Sequence, residues 1–169
     1  MNLTSAQAAK LLRQLGDELK ALQLRENNSC TFLAPLGEDP ETVRPEYDYA
    51  QMQAEQAEIE AKIRKLKHAL NIFNSTTVIP EFDITIDEML VLLPQLTARC
   101  NKLSRMKDAL PKARENTGLL RGSTIVDYRY ANYDIKQVGA DWQAASEELA
   151  RAQTALDLIN STAQLEIEL

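Results

Sequence analysis

Residues 69–79 read ALNIFNSTTVI and residues 155–165 read ALDLINSTAQL, and this repeated ending decides the fold. Five of the eleven positions are identical. Self-similarity at a fixed spacing indicates duplicated supersecondary units. The repeat therefore predicts two related helical hairpins within one chain.

Apolar side chains recur at alternating spacings of three and four residues in four segments. A narrow stripe of this kind is typical of helices that pack along a seam. The first and third stripes coincide at an offset of 81 residues, and the second and fourth coincide at an offset of 86. The stripes cover residues 8–22, 49–73, 89–103 and 142–159.

These stripes predict an all-α fold with minor β structure. We expect an antiparallel four-helix bundle, or long coiled-coil hairpins, produced by internal duplication. The 169 residues suit a single domain, 1–169, made of pseudo-repeats at about 4–84 and 85–169. Apolar residues alternate after each NST ending, which predicts short strands after the second and fourth helices. These strands could pair with each other.

Short motifs mark where the helices begin and end. Thr4 with Gln7, and Thr85 with Glu88, match the capping box that starts a helix. The two Asn-Ser-Thr triplets, at 74–76 and 160–162, match the glycosylation sequon. We prefer a capping interpretation, in which Asn is left-handed and Ser/Thr either satisfy the freed carbonyls or begin the next strand.

Proline predicts two departures from regular helix. Pro94 falls inside the third stripe, where it cannot donate to the Leu90 carbonyl, so we expect a kink near residues 90–94. We expect the third helix to end at Pro111 and the fourth to begin at about Asp141. Residues 30–45 contain several prolines and predict a loop, which Phe32, Leu33 and Leu36 could pin to the helices.

The charge balance limits the function classes. The net charge is −6 and the pI about 4.9, which disfavours a general nucleic-acid binder. Residues 99–136 nevertheless hold nine Lys/Arg against four Asp/Glu, a local +5. The first residues lack a basic region followed by an apolar run, which predicts a cytoplasmic protein without a secretory leader.

Catalytic motifs do not occur in the sequence. It has one histidine, His68, off the apolar stripe, and two distant cysteines, Cys30 and Cys100, with no zinc-site spacing. Cys100 lies on the third stripe and is expected to be buried. Phosphate-binding, nucleophile-elbow and HExxH patterns are missing. We therefore predict a non-enzyme without metal or cofactor.

One segment carries the best candidate for a binding site. Residues 112–139 are rich in glycine, β-branched and aromatic residues, and they predict a short strand or hairpin near 123–135. Tyrosines interleaved with arginine could grip a partner surface or stack on bases. The alternative is that these tyrosines pack on the helices. The candidates are Arg121, Tyr128, Arg129, Tyr130, Tyr133 and Lys136.

Several motifs resemble the septicolysin-like family of small bacterial helical proteins. They are the capped heptad helices, the GEDPE loop at 37–41, the TIDE start at 85–88, the IKQV run at 135–138, and the repeated Asn-bearing helix end. The resemblance covers most of the chain. It implies a small helical fold, and the family's name implies pore formation by one member.

Three functional hypotheses follow. The first is a non-enzymatic interaction or structural module of the bacterial cytoplasm that forms a homo-oligomer. The second, implied by the resemblance, is a pore-forming or membrane-active protein. The third is binding of an anion or nucleic acid at the basic, tyrosine-rich segment 121–136.

Overall fold

The computed structural model describes residues 1–115 and 127–168, which are mostly helical with small antiparallel strand pairs. This confirms the prediction of an all-α protein with minor β structure. The helices are α1 (Ser5–Ser29), α2 (Tyr49–Thr76), α3 (Ile86–Lys107) and α4 (Ile135–Thr162), with a 3₁₀ turn at Pro40–Thr42. The strands are β1 (Asn2–Thr4), β2 (Val78–Ile79), β3 (Ile84–Thr85), β4 (Lys112–Arg114), β5 (Tyr128–Tyr130) and β6 (Gln164–Glu166).

Two compact units make up the chain. One comprises Met1–Thr77 with Leu158–Leu169, and the other Val78–Asp157. The first unit contains α1, α2 and the β1–β6 sheet, and the second contains α3, most of α4 and the other two sheets. The single domain and the four-helix bundle stay predictions.

Buried side chains recur every seven residues along the helices. Along the predicted stripes most alternate positions are buried, and the positions between them are mostly half-buried. Residues seven positions apart stay on nearly the same side of a helix, because seven residues make almost two turns of 3.6 residues each. The buried positions therefore form one continuous seam along each helix. The buried heptad positions are Ala8 and Leu15; Met52, Ile59, Leu66 and Phe73; Met89, Leu96 and Leu103; and Val138, Ala145 and Ala152.

In the first unit, polar contacts align α1 with α2. Arg25 donates to Glu55 at 2.8 Å, and Gln56 of α2 donates to Glu26 of α1 at 2.6 Å. β1 pairs antiparallel with β6, so Leu3 lies opposite Leu165. The Ile167 N–H donates to the Met1 carbonyl at 3.0 Å and extends this ladder.

In the second unit, β2 and β3 form a tight hairpin that leads into α3. Its turn includes Asp83 in the left-handed region at φ 54, which a short polar side chain tolerates. α3 packs on α4 through a cluster of Cys100, Leu103, Val138 and Ala145. The expectation that the two post-helical strands pair with each other is wrong. Each instead pairs with a strand that precedes a helix, because that strand lies beside it in the same unit.

Both capping boxes are confirmed. The Gln7 N–H donates to Thr4 Oγ1 at 3.2 Å, and the Thr4 N–H donates to Gln7 Oε1 at 2.9 Å. The Glu88 N–H donates to Thr85 Oγ1 at 3.2 Å, and the Thr85 N–H donates back at 2.8 Å. Each pair satisfies two backbone donors that helix geometry leaves unpaired.

The two NST endings are alike in structure. The hydroxyls of Ser75 and Thr76 both donate to the Ile72 carbonyl, at 3.0 and 2.8 Å. Those of Ser161 and Thr162 donate to the Leu158 carbonyl, at 3.0 and 2.6 Å. Both carbonyls also accept the backbone N–H four residues further on, inside the helix, so the prediction that Ser/Thr satisfy the freed carbonyls is wrong. A left-handed Asn was wrong, because both asparagines lie inside the last helical turn.

α4 begins six residues earlier than expected. The Asp134 carboxylate accepts the Lys136 N–H at 2.8 Å and the Gln137 N–H at 3.4 Å, which caps the helix. Gly139 is tolerated inside the first turns. α3 continues through Pro94 and ends at Lys107, before Pro111. A kink at Pro94 stays a prediction.

None of the helices within residues 1–115 and 127–168 is long and apolar enough to cross a membrane.

Candidate functional site

The β4–β5 pair divides the predicted site residues between two faces. Lys112 lies opposite Tyr130, Ala113 opposite Arg129, and Arg114 opposite Tyr128. Directly opposed residues of an antiparallel pair share a face, and the faces alternate along each strand. One face therefore carries Lys112, Arg114, Tyr128 and Tyr130, and we call it the tyrosine face.

A cation lies over both phenol rings of the tyrosine face. Lys112 Nζ is 4.1 Å from the Tyr128 ring centroid and 5.4 Å from that of Tyr130. Both distances allow a cation–π interaction. Tyr128 and Tyr130 are exposed. The alternative, that the tyrosines pack on the helices, is therefore wrong for these two.

Arg129 points to the opposite face, where it is paired. Its guanidinium donates to both oxygens of Glu115, at 2.8 and 2.9 Å. This bidentate contact raises the pKa of Arg129 and holds the pKa of Glu115 below its usual range. Arg129 is therefore committed to Glu115 and does not belong to the tyrosine face.

The other predicted site residues are spread around the hairpin. Tyr133 donates its hydroxyl to the Met106 carbonyl at 3.0 Å, which ties it to the end of α3. Lys136 lies exposed in the first turn of α4. Arg121 lies outside the described residues. The structure thus brings Tyr128 and Tyr130 together, separates Arg129 from them, and gives Tyr133 a structural contact.

Sequence reasoning missed Lys112 and Arg114. The signal available was their alternation around Ala113, directly after Pro111, which is typical of a strand that presents two cations on one side. The partner strand and its register could not be read from this alone. Without that register, the two cations could not be assigned to the face of Tyr128 and Tyr130.

The connection between α1 and α2 is a second exposed surface. Residues 31–48, which we call the acidic loop, hold five carboxylates and one basic residue, Arg44. Leu33 and Leu36 are almost completely exposed, at 94% and 107%. The expectation that they pin the loop is wrong for both leucines. Phe32 is half-buried and stacks under the Arg44 guanidinium at 5.1 Å.

A tight turn presents Leu36. The Glu38 N–H donates to the Pro35 carbonyl at 3.2 Å, and Gly37 has a φ of +93°. A positive φ at the third turn position is the type II pattern, which glycine adopts without strain. Leu36 therefore occupies the second position of a defined turn, with its side chain in solvent.

A carboxylate at the end of α1 holds the base of the acidic loop. Glu26 accepts hydrogen bonds from Tyr47 at 2.9 Å, Gln53 at 2.7 Å and Gln56 at 2.6 Å. The bonds from Gln56 and Tyr47 hold the pKa of Glu26 below its usual range. Partial burial of the phenol, with the Glu26 charge, raises the pKa of Tyr47 to about 12.

The remaining reactive side chains do not form a cluster. Among the described residues, no group of three or more His, Cys, Asp or Glu could hold a metal ion. His68 is exposed. Cys100 is buried, as predicted, and accepts a weak contact from the Ser146 hydroxyl at 3.9 Å. Cys30 is exposed at the end of α1.

Comparison with known proteins gives a likeness of fold. The chain matches no family model and no curated protein sequence. It is similar to the crystal structure of a functionally unknown conserved protein from Corynebacterium diphtheriae, with a TM-score of 0.59 and 17% sequence identity. The match covers 98% of this chain and 100% of that chain. At this identity the likeness concerns the fold alone.

Proposed function

We propose that the protein is a non-enzymatic helical interaction module of the bacterial cytoplasm that binds a second copy of itself. The observation that carries this proposal is the exposure of large apolar and aromatic side chains at the ends of both hairpins. Leu33 and Leu36 are exposed in the acidic loop, and Leu110, Tyr128 and Tyr130 are exposed around β4 and β5. Clustered exposed apolar side chains are typical of surfaces that bind another molecule.

The proposed architecture is a duplicated hairpin, and matched burial supports it. At an offset of 86, Met52 matches Val138, Ile59 matches Ala145, and Leu66 matches Ala152, and all six are buried. Ile79 and Leu165, at the same offset in the post-helical strands, are also buried. At an offset of 81, the capping threonines Thr4 and Thr85 coincide, as do the buried residues Ala8 and Met89.

Strand pairing supports the duplication in a second way. Each hairpin is preceded by one strand and followed by another, as β1-α1-α2-β2 and β3-α3-α4-β6, with the β4–β5 pair inserted in the second. β1 pairs with β6 and β2 pairs with β3, so each repeat exchanges strands with the other. In both sheets, the strand before one hairpin pairs with the strand after the other hairpin. Two equivalent repeats would produce this reciprocal arrangement.

Size-exclusion chromatography with light scattering tests the self-association. We expect the mass to rise above the 19.0 kDa of one chain as the protein concentration increases. The double variant Leu33→Ala, Leu36→Ala should shift the rise to higher concentration, since it removes exposed apolar area. Leu24→Ala is the matched control, because Leu24 is exposed on α1 outside the acidic loop. A constant mass of 19.0 kDa at every concentration would contradict the proposal.

A second candidate function is anion or single-stranded nucleic-acid binding at the tyrosine face. The observation that favours it is that Lys112 and Arg114 share a face with two exposed phenols. Aromatic rings can stack on bases while cations bind phosphates. The test is a salt-dependent shift of labelled single-stranded DNA that the variant Lys112→Ala, Arg114→Ala loses.

The resemblance to the septicolysin-like family supplies a third proposal, membrane activity. Exposed Leu33 and Leu36 could enter a lipid interface, although the neighbouring carboxylates would be repelled by anionic lipids. Dye release from vesicles of neutral and of anionic lipid tests it. Release that the double variant Leu33→Ala, Leu36→Ala abolishes would favour membrane activity over self-association in solution.

A further inference from the structure

We infer that the tyrosine face of one copy docks the acidic loop of a second copy, an inference that rests on the proposed self-association. The two surfaces are chemically complementary. The acidic loop offers five carboxylates and two exposed leucines. The tyrosine face offers two cations and two exposed phenol rings. Opposite charges that surround apolar contacts are the usual arrangement of a specific interface.

The acidic loop has carboxylates that its own hydrogen bonds do not engage. Asp39 accepts the Glu41 N–H, Glu41 pairs with Arg44, and Asp48 caps α2. Within residues 1–115 and 127–168, neither Glu38 nor Glu46 forms an ion pair or accepts a side-chain hydrogen bond. These two are the carboxylates best placed to bind a cation from another molecule.

The tyrosine face has its cations on one strand and its rings on the other. Lys112 and Arg114 belong to β4, and Tyr128 and Tyr130 belong to β5. Adjacent strands lie about 4.8 Å apart, so a row of cations runs beside a row of rings. Contact with a ring face occupies one side of the Lys112 ammonium, and its other donors can still reach a carboxylate.

The spacing of the turn fits these two rows. Leu36 and Glu38 are two residues apart, so their Cα atoms lie at most about 7 Å from each other. A leucine placed against the phenol rings would therefore leave Glu38 within reach of the neighbouring cations. Gly37 holds Leu36 and Glu38 in one turn, which reduces the conformational freedom lost on docking.

Chemical complementarity favours this occupant over nucleic acid. Net charge does not choose between them, because the −6 of the whole chain opposes a nucleic acid and a second copy alike. The acidic loop of a second copy brings one compact patch of negative charge and apolar side chains that a phosphate backbone lacks. The inferred contact therefore uses both the rings and the cations of the face.

A charge-exchange experiment on the full chain tests the inference. One variant carries Glu38→Lys with Glu46→Lys, and the other carries Lys112→Glu with Arg114→Glu. Each alone should lose self-association by about tenfold or more, because like charges then face each other. An equimolar mixture should associate again, since the reversed loop and the reversed face attract. Sedimentation equilibrium measures all three samples, and circular dichroism checks that each variant is folded.

The control matches the loop variant in charge. Glu60→Lys with Asp157→Lys also changes the net charge by +4, on exposed helical positions, and should associate like the wild type. If the wild type associates but both reversal variants also do, self-association stands and this docking mode is overturned. Failure of the mixture to recover association overturns it as well.

A monomeric wild type overturns the proposed function itself, and the docking inference with it. Binding of labelled oligo-dT tests whether nucleic acid, the competing occupant, binds the tyrosine face. Binding of oligo-dT by a monomeric wild type, lost in Lys112→Glu with Arg114→Glu, would assign the tyrosine face to nucleic acid.

Discussion

The Glu26 carboxylate accepts three hydrogen bonds and joins α1, α2 and the base of the acidic loop. Its partner Gln56 is the strongly polar residue within the apolar stripe of α2. A single polar residue on a helical seam favours one register, because any shift leaves it without its partner. We interpret the Glu26–Gln56 contact as the residue pair that sets the alignment of α1 with α2.

The phenol of Tyr47 provides a titration test of this network. Its pKa is raised to about 12 from an ordinary value near 10. The stabilisation by the protonated phenol is therefore present below pH 10 and is lost as the pH rises through about 12. Ultraviolet absorbance should show one of the five tyrosines ionising near pH 12.

The variant Tyr47→Phe should lose this late component. Tyr49→Phe is the control and should retain it, because Tyr49 is exposed at the start of α2. If every phenol of the wild type ionises near pH 10, the environment described for Tyr47, a partly buried phenol bonded to Glu26, does not exist in solution.

At the scale of the helix, the two capping boxes give a paired prediction. Thr4→Ala and Thr85→Ala should each lower the free energy of unfolding by about 1 kcal/mol, because each removes one N-cap hydrogen bond. Urea denaturation measures both variants. Thr4→Ser and Thr85→Ser retain the cap and serve as controls. Equal losses are expected of duplicated junctions, and a variant that loses nothing would contradict the equivalence.

Pro94 gives a prediction of the opposite sign. It lies exposed inside α3, where it leaves the Leu90 carbonyl without the usual backbone donor. Pro94→Ala should raise the free energy of unfolding by about 1–3 kcal/mol. The adjacent Gln95→Ala, also exposed, should change it by less than about 0.5 kcal/mol. A destabilised Pro94→Ala would mean that neighbouring contacts require the proline.

Local sequence patterns predicted the helices well, but they could not predict contacts between residues that lie far apart in the sequence. The heptad stripes and the threonine caps act within one or two helical turns, so the sequence alone contains them. β1 was missed because its three residues pair with β6, more than 150 residues away. The start of α4 is predicted too late because Gly139 and the tyrosines before it favour a non-helical segment. Asp134 nevertheless starts the helix there, since its carboxylate accepts two backbone N–H groups.

The candidate site shows the same difference between local patterns, which the sequence reveals, and contacts between distant residues, which it does not. Tyr128 and Tyr130 were identified from composition, and their spacing of two places them on one side of a strand. Lys112 and Arg114 join them only through the β4–β5 register. Arg129 lies between the two tyrosines in the sequence and so on the other face, where Glu115 pairs with it, and no local pattern reveals that contact.

At the scale of the whole molecule, charge separation governs the expected association. Residues 99–136 carry a local +5, while the rest of the chain carries −11. A chain with this distribution can attract a second copy of itself. Contacts between exposed charges weaken as salt is added, since the screening length falls to about 8 Å at physiological ionic strength.

The most direct test of the central claim is the mass of the wild-type chain by sedimentation equilibrium, across protein concentration and salt. Self-association through complementary hairpin ends predicts a mass that rises above 19.0 kDa with concentration at low salt and falls back when salt is added. A mass that stays at 19.0 kDa under every condition would contradict the account.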